Sequence, residues 1–547
     1  MGSSPQRALL VEKPGGTSVF LDGQDLYPGK NPKDLPRSRV SQLKLQPQTL
    51  VLLASPLLGY GLKELLELLP PQCVVLALEW EPELESISSQ TVQNNQHKHL
   101  HYWTKAQRQN HVALAEEIGL QQFRRTLLLS LHRGVGLHIN EYRVLQKQLE
   151  LQIQEHWRNR ITLIQMGGLW LRNVFRNLPA LIQSINLKYF TTSQPILCIG
   201  AGPSLDHDIE KIRLLANKVM ILCADTALPA LLAQGIKPHG VVILESQWWN
   251  LRDFVGAHNS GIHAFCDLTS HPQSYRTLGG GFTFFVTQFA PLSLLDRITT
   301  QFKQLKVIPP LGNVGNLMAY LAQQLTTGSI FFCGMDYAYV QGQSHAKGAP
   351  QFLTLYNHQS RLEPHLTGAI VSTPMRILSK GTQAEPVMTS ESLMGYGRIL
   401  EEMAKGKKHW AKISPTGLYV GIEPLENTAL QKILSTAPQP TISENKNHKV
   451  HVQNIQVQEL VNFTDSEINR LKRLLEELEK MNRGQSNYTA LGLESGDLSY
   501  LWLHFPDTEP MPRNETSFLV RLLWSARYYL ERLQSSGEDL STDKKAP

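Results

Sequence analysis

Apolar positions in this chain follow two rhythms, and the change from one to the other divides the sequence. Short unbroken apolar runs bounded by turn residues predict buried strands at Thr49–Ala54 and Cys73–Leu78. Six more follow at Ile196–Ile199, Val219–Cys223, Val241–Leu244, Ala264–Cys266, Phe282–Val286 and Ile330–Cys333. Helical stretches separate most of these six, which predicts a parallel, doubly wound sheet with ligands beyond the carboxyl ends of its strands. The second rhythm is helical. Leu145, Leu149, Ile153, Trp157, Ile161 and Ile164 recur at helical steps, and Ile468, Leu471, Leu474, Leu475, Leu478 and Met481 form a later stripe. A capping-box pattern at Thr464 and Glu467 opens that stripe, and Gly484 suits its end.

Four parts follow from this pattern. Residues 1–106 are expected to be a small α/β, Rossmann-like domain with a turn-rich opening at Asp22-Gly23, Pro28-Gly29 and Asn31-Pro32. Its strand, Leu57–Gly61 turn, Leu62–Leu69 helix and second strand ending at Glu79 imitate a dinucleotide or methyl-donor site. Gly59 and Gly61 lack a third glycine and Pro56 occupies the turn, so the reading is a degenerate unit without ligand. Residues 107–190 read as a helical connector and 191–426 as the central doubly wound domain. Residues 427–547 read as a helical C-terminal region whose Ser535–Pro547 end is polar and expected to be disordered.

Composition narrows the class without naming a reaction. The chain has 547 residues, 41% hydrophobic and 18% charged, as in soluble globular proteins of several domains. No apolar run of about 18 residues offers a membrane span, and Met1–Val11 has no secretory pattern, so a cytoplasmic location is expected. Cys73, Cys198, Cys223, Cys266 and Cys333 sit singly in apolar runs, which points to core thiols and to neither a disulfide framework nor a zinc site. The formal charge is +6, and His97–Phe190 alone holds thirteen Lys/Arg against five Glu. Without a recognisable binding module that excess reads as a solvated helix surface, and nucleic acid is not an expected partner.

The chemistry concentrates in the central part. The string Pro195-Ile-Leu-Cys-Ile-Gly200-Ala-Gly202-Pro203-Ser204-Leu205-Asp206 runs a buried strand into a small-residue turn and a helix. Gly200 and Gly202 would let a phosphate approach the backbone, and the helix end would supply free N–H groups and partial positive charge. Pro203 would stiffen the turn, and Ser204 would either cap the helix or donate its hydroxyl to a phosphate. Asp225 and Thr226 close the next strand, where they can hold sugar or ribose hydroxyls or cap the following helix. Glu245 ends the strand after that. Gly312-Asn313-Val314-Gly315 precedes a helix, and Asn313 can either read a base or sugar or cap that helix. The strand Ile330–Cys333 leads to Gly334-Met335-Asp336 and then to His345 in the loop Gly342–Gly348. His345 there is either a general acid–base or a surface residue.

These strings resemble the Maf motility-associated proteins, also described as 6-hydroxymethylpterin diphosphokinase MptE-like. The resemblance rests on Gly200–Asp206, Ala224–Leu228 with Gly235-Ile-Lys-Pro238, Gly312–Gly315, and Gly334–Asp336 through His345–Gly348. Thr416–Gly421 fits as well, and Asp22–Pro32 and Leu52–Glu79 fit the family's amino-terminal domain more weakly. The chain departs from the pattern at His239 and at Glu245-Ser246-Gln247-Trp248-Trp249, where the family carries Asp. The resemblance implies a sialyltransferase-like core and nucleotide-sugar binding by residues 191–426. It further implies transfer of a pseudaminic, legionaminic or similar nonulosonic acid from its CMP-sugar to Ser/Thr of flagellin.

The expected mechanism is metal-independent glycosyl transfer, with no cofactor besides the CMP-sugar donor. His345 and Asp336 are its candidate catalytic residues. The nucleotide and sugar fall to Gly200, Gly202, Pro203, Ser204, Asp225, Thr226, Gly312, Asn313 and Gly315. Two competing classes remain. A pyrophosphoryl transferase acting on a hydroxymethylpterin would gather Asp206, Asp225 and Asp336 around Mg²⁺ and ATP. A non-catalytic flagellar motility factor would have no chemical need for His345 beside Asp336.

Overall fold

The computed structural model describes residues 8–104, 118–289, 292–339, 343–362, 377–382, 386–436, 455–483, 497–505 and 516–542. Two compact units emerge: Met1–Gln165 with His504–Arg513, and Met166–Leu503 with Asn514–Pro547.

In the first unit, strands β1 (Leu9–Lys13), β2 (Gly16–Leu21) and β3 (Gln24–Asp25) form a small antiparallel sheet whose β2–β3 turn is the expected Asp22-Gly23. Strands β4 (Thr49–Ala54), β5 (Val74–Leu78), β6 (Leu100–Trp103) and β7 (Arg125–Ser130) form a parallel sheet in the order β6-β5-β4-β7. Alternate residues of β4 serve two cores. Leu50 and Leu52 pack with Tyr142, Leu145 and Leu149, and Val51 and Leu53 pack with Leu62 and Leu65. Both faces are covered, so β4 reads as a continuous apolar run rather than an alternating one. β7 lies inside the stretch expected to be a helical connector. Arg124 before it, Arg125 at its first position and Arg133 beyond it hide a six-residue strand that completes the sheet. The helical stripe itself forms, as the helix Ile139–Asn177.

The second unit is built on β8 (Ile196–Ile199), β9 (Met220–Ala224), β10 (Gly240–Ile243), β11 (Ile262–Asp267), β12 (Gly279–Thr287), β13 (Lys306–Ile308) and β14 (Ile330–Cys333). β15 (Ile377–Lys380) and β16 (Pro386–Thr389) form a separate hairpin, and β17 (Trp410–Lys412) closes the main sheet. The order is β13-β12-β11-β10-β9-β8-β14-β17, and every pairing is parallel. This is the doubly wound sheet that the α/β alternation predicts. Ile196, Cys198, Met220, Leu222, Val242 and Phe265 pack on one face against Leu317, Met318 and Leu321 of the helix Val314–Leu325. The chain winds from β8 outward to β13, then returns to set β14 on the other side of β8. The topological switch, where such sheets bind ligands, therefore lies between β8 and β14.

The late helix starts earlier than its pattern implied. It spans Val457–Asn482, with the capping box made by Gln456 and Glu459. Thr464 instead lies inside the helix with its hydroxyl on the Leu460 carbonyl at 2.8 Å, and buried Glu467 pairs with Arg297 at 2.7 and 2.8 Å. Gly484 lies outside the described residues. The final helix, Thr516–Thr542, continues through much of the polar stretch expected to be disordered.

Candidate functional site

The Gly200–Ser204 turn follows β8 at the switch point, and three of its N–H groups are bonded to the end of β14 and the residues after it. Gly200 donates to the Cys333 carbonyl at 2.8 Å, Gly202 to that of Gly334 at 2.7 Å, and Ser204 to Asp336 Oδ2 at 2.9 Å. The Ser204 hydroxyl accepts the Gly334 N–H at 3.2 Å and is buried. Of the two roles open to Ser204 the helix cap is the one corrected, because its side chain caps no helix. The glycines are needed because two strand ends meet: a Cβ on Gly200 would stand 2.5 Å from the Gly334 oxygen, and one on Gly202 would collide with Asp336. Pro203 is buried in the same turn.

Asp336 is therefore a buried support under the turn and does not face an open cleft. Burial raises its carboxyl above the usual range, and the hydrogen bonds from Ser204 pull against that shift. The Thr416–Gly421 string closes over it. Leu418 N–H donates to the Asp336 carbonyl at 2.8 Å, and a Cβ on Gly417 would lie 2.5 Å from that oxygen. This placement gives Asp336 a supporting position under the turn.

His345 does come to the switch point. Its neighbour Ala346 donates to the Ala201 carbonyl at 2.8 Å, and Lys347 N–H reaches both Asp206 oxygens at 3.0 and 3.1 Å. The loop is thus laced to the turn and to the first turn of the helix Leu205–Leu215. The imidazole is half-buried, with Nδ1 3.0 Å from the Ser344 hydroxyl. Burial, then the Arg252 guanidinium, lowers its pKa from the usual 6.5, so the ring is neutral at pH 7.

Beside it the ends of β9 and β10 carry carboxylates. Asp225 is buried, with Oδ1 accepting the Thr226 N–H at 2.9 Å and Oδ2 without a partner. Asp253, at the end of the short helix Trp248–Phe254, is buried with neither oxygen partnered. Burial, then the nearby Asp253 and Glu245, pushes Asp225 well above the carboxylate range. Burial likewise pushes Asp253 to about 6. Glu245 keeps one face to solvent, although the elements around it raise its carboxyl too. Thr226 is half-buried at the edge of this group.

The Gly312–Gly315 string supports the site from behind. Gly312, at φ +82°, lies under the Tyr396 ring, and Asn313 caps the helix Val314–Leu325 by accepting the Asn316 N–H at 2.9 Å. Asn316 in turn accepts the Tyr337 hydroxyl at 2.7 Å, and Gly315 makes room for Met335 and Tyr337. Of the two roles open to Asn313, the cap is the one its geometry fills. His239 likewise has a structural position, with Nδ1 accepting the Ile221 N–H at 2.9 Å just before β10 begins. That departure from the family pattern lies at the far end of the strand from the carboxylates.

In the first unit the imitation of a nucleotide site is filled by its own side chains. Glu79 accepts the Ser55 hydroxyl at 2.5 Å and that of Ser88 at 2.7 Å, and His132 Nε2 lies 2.7 Å from the Ser55 carbonyl. All four residues are buried, and desolvation holds the His132 ring near a pKa of about 4. The acid that would hold ribose is thus spent on serines.

Three groups were invisible to sequence patterns. Arg252 and Asp253 stand in no motif. Asn173 and Asn177, buried one turn apart in the stretch taken for a connector, each donate two bonds of 2.9 Å to the loops after β10 and β11. Their only signal was an Asn-x-x-x-Asn spacing among apolar neighbours. Among the described residues no three His, Cys, Asp or Glu are placed to share a metal ion, and no helix is long and apolar enough to cross a membrane.

Residues 171–342 match the sequence model of a family described as 6-hydroxymethylpterin diphosphokinase MptE-like, a span that takes in Asn173, the Gly200 turn, Asp253 and Asp336. An uncharacterized protein of Treponema pallidum (strain Nichols) is 26% identical over 552 residues, covering 96% of this chain and 94% of its own. A second uncharacterized protein of that strain is 35% identical over 86 residues, which are 16% of this chain and 41% of its own. Among solved structures, the Maf glycosyltransferase from Magnetospirillum magneticum AMB-1 matches with a TM-score of 0.54 over 98% of this chain and 91% of that one. At 14% identity that likeness is one of fold. Residues 171–342 thus match the MptE-like family model, within a chain that shares its fold with a Maf glycosyltransferase.

Proposed function

We propose that the second unit is a glycosyltransferase that takes a nucleotide-linked sugar at the carboxyl ends of β8, β9, β10 and β14 and passes the sugar to a hydroxyl acceptor. The observation that carries this reading is the placing of His345, neutral and half-buried, on the Gly200–Ser204 turn at the switch point. A neutral imidazole there can take the proton of an attacking hydroxyl or give one to a departing phosphate. Arg252 supplies positive charge beside it. Asp225 and Thr226 would accept hydroxyls of the donor. Asp336 and Ser204 would act only by holding the turn.

The finer assignment follows the family. The donor is a CMP-activated nonulosonic acid, the acceptor a Ser/Thr hydroxyl of flagellin, and no divalent metal takes part. The second reading, pyrophosphoryl transfer to a hydroxymethylpterin, draws on the carboxylates Asp225, Asp253 and Glu245 and would require ATP with Mg²⁺. One experiment separates the two. The protein is incubated with CMP-nonulosonate and flagellin in chelator, and separately with ATP, Mg²⁺ and hydroxymethylpterin. CMP release with a matching increase in flagellin intact mass supports glycosyl transfer; AMP release in the second mixture alone would replace it.

A further inference from the structure

Asp225 and Asp253 are 1% and 0% exposed, and three of their four carboxylate oxygens have no hydrogen-bond partner. Buried polar groups are almost always satisfied, and a buried carboxylate without a donor is among the most costly groups a fold can hold. Asp225 already turns the chain through the Thr226 N–H with Oδ1 alone, and Asp253 ends a short helix whose other buried member, Phe254, provides the packing. A group that binds externally supplied donors would explain both.

Position indicates the kind of donor. β8 carries the glycine turn, β9 is the next strand of the sheet, and Asp225 begins directly after β9. In doubly wound nucleotide folds an acid on the order of 20 residues beyond the glycine turn accepts the ribose hydroxyls. Asp253 follows β10, the neighbouring strand, and lies within electrostatic reach of Asp225. The short helices that carry the two residues touch, and a pair of carboxyl groups can accept from two adjacent hydroxyls, one hydrogen bond each. A shared metal ion fits less well, because no three acidic, His or Cys residues among the described ones are placed around one point. Glu245, nearby, is exposed, and Thr226 is half-buried.

We propose that Asp225 and Asp253 together form a receptor for a vicinal diol, the ribose 2′,3′-hydroxyls of the bound nucleotide, with Asp253 as a specificity-determining residue. The proposal rests on the nucleotide-sugar reading above and adds to it the ligand atoms and the second acid. It also implies that Asp253 is kept at the expense of stability, so that replacing it relieves the empty protein while impairing ligand selection.

The full-length protein is titrated calorimetrically with CMP and with 2′,3′-dideoxy-CMP, in chelator and in Mg²⁺, as wild type and as the isosteric Asp253→Asn. Thermal melting is measured without ligand. Expected is a preference for CMP of about 10-fold or more, from two hydrogen bonds to buried acceptors. In Asp253→Asn the preference falls to about 3-fold or less, and its ligand-free melting temperature rises. Equal binding of CMP and the dideoxy analogue overturns the diol assignment and leaves the nucleotide reading standing. Binding of neither overturns both. A preference retained in Asp253→Asn removes Asp253 from the receptor, a lowered melting temperature assigns it a structural role, and binding that requires Mg²⁺ replaces the diol with a cation.

Discussion

The Asp336 carboxylate accepts the main-chain N–H of Ser204 at 2.9 Å, and the Ser204 hydroxyl in turn accepts the N–H of Gly334, two residues before Asp336. The two residues tie the ends of β8 and β14 together across the switch point. Ser204→Ala leaves the Gly334 N–H buried without an acceptor and should lower unfolding free energy by about 1–3 kcal/mol. Nucleotide affinity should change by about twofold or less, because the hydroxyl faces the chain. Denaturant unfolding and calorimetry on the same preparation check both. A variant of unchanged stability and much weaker affinity would return Ser204 to the phosphate.

Gly200 offers a sharper contrast. An alanine methyl there would meet the main-chain oxygen of Gly334 at 2.5 Å, and neither group is a side chain that can rotate away. Gly200→Ala should cost at least about 1–3 kcal/mol, as overpacking does. Gly395, in the helix Glu391–Ala404, has no atom within 4 Å of a built Cβ. Gly395→Ala should therefore stabilise by about 0.5–1 kcal/mol through the backbone alone. Thermal melting of the pair tests whether Gly200 is required by strand-end packing.

Asp253 predicts a pH dependence with a definite sign. Burial carries its carboxyl from 3.8 up to about 6. A carboxyl raised on folding contributes stability below its unfolded pKa and loses it as pH rises through the folded value. The ligand-free protein should thus lose about 1–3 kcal/mol between about pH 4 and pH 6.5 from this group. In Asp253→Asn that fall should flatten, as read from unfolding curves across the range. An identical pH profile in wild type and variant would show that Asp253 does not titrate there.

How far the sequence reached follows from where each signal is stored. β4, β8 and β14 were legible because both faces of each are buried and leave an unbroken apolar run. β13 and β17, three residues each at the sheet's two edges, are too short to show a run, and β7 is masked by flanking arginines. The strings from Gly200 to His345 do gather at one place. Their roles were less legible, because a glycine kept for contact with a phosphate and one kept for contact with Gly334 look the same in sequence. Asp253 and Arg252 gave no signal at all, since what distinguishes them is a missing partner and a through-space charge.

His345 carries the last prediction, in which two substitutions act on the same titration differently. Burial and Arg252 together hold the imidazole below 6.5, so in the proposed reaction it is the neutral, proton-accepting form that serves at pH 7. The acid limb of kcat/KM should therefore fall below pH 6.5, with a plateau through neutrality. Arg252→Gln removes a positive charge near the ring and should move that limb upward. His345→Ala should abolish the limb and lower turnover by about 10²–10⁴-fold, with melting temperature and CMP affinity nearly intact, because the ring bonds only to its neighbour Ser344 among the described residues. An unmoved limb in Arg252→Gln would assign the titration to another group. A fully active His345→Ala would take the imidazole out of the reaction and leave its loop the task of closing over Ala201 and Asp206.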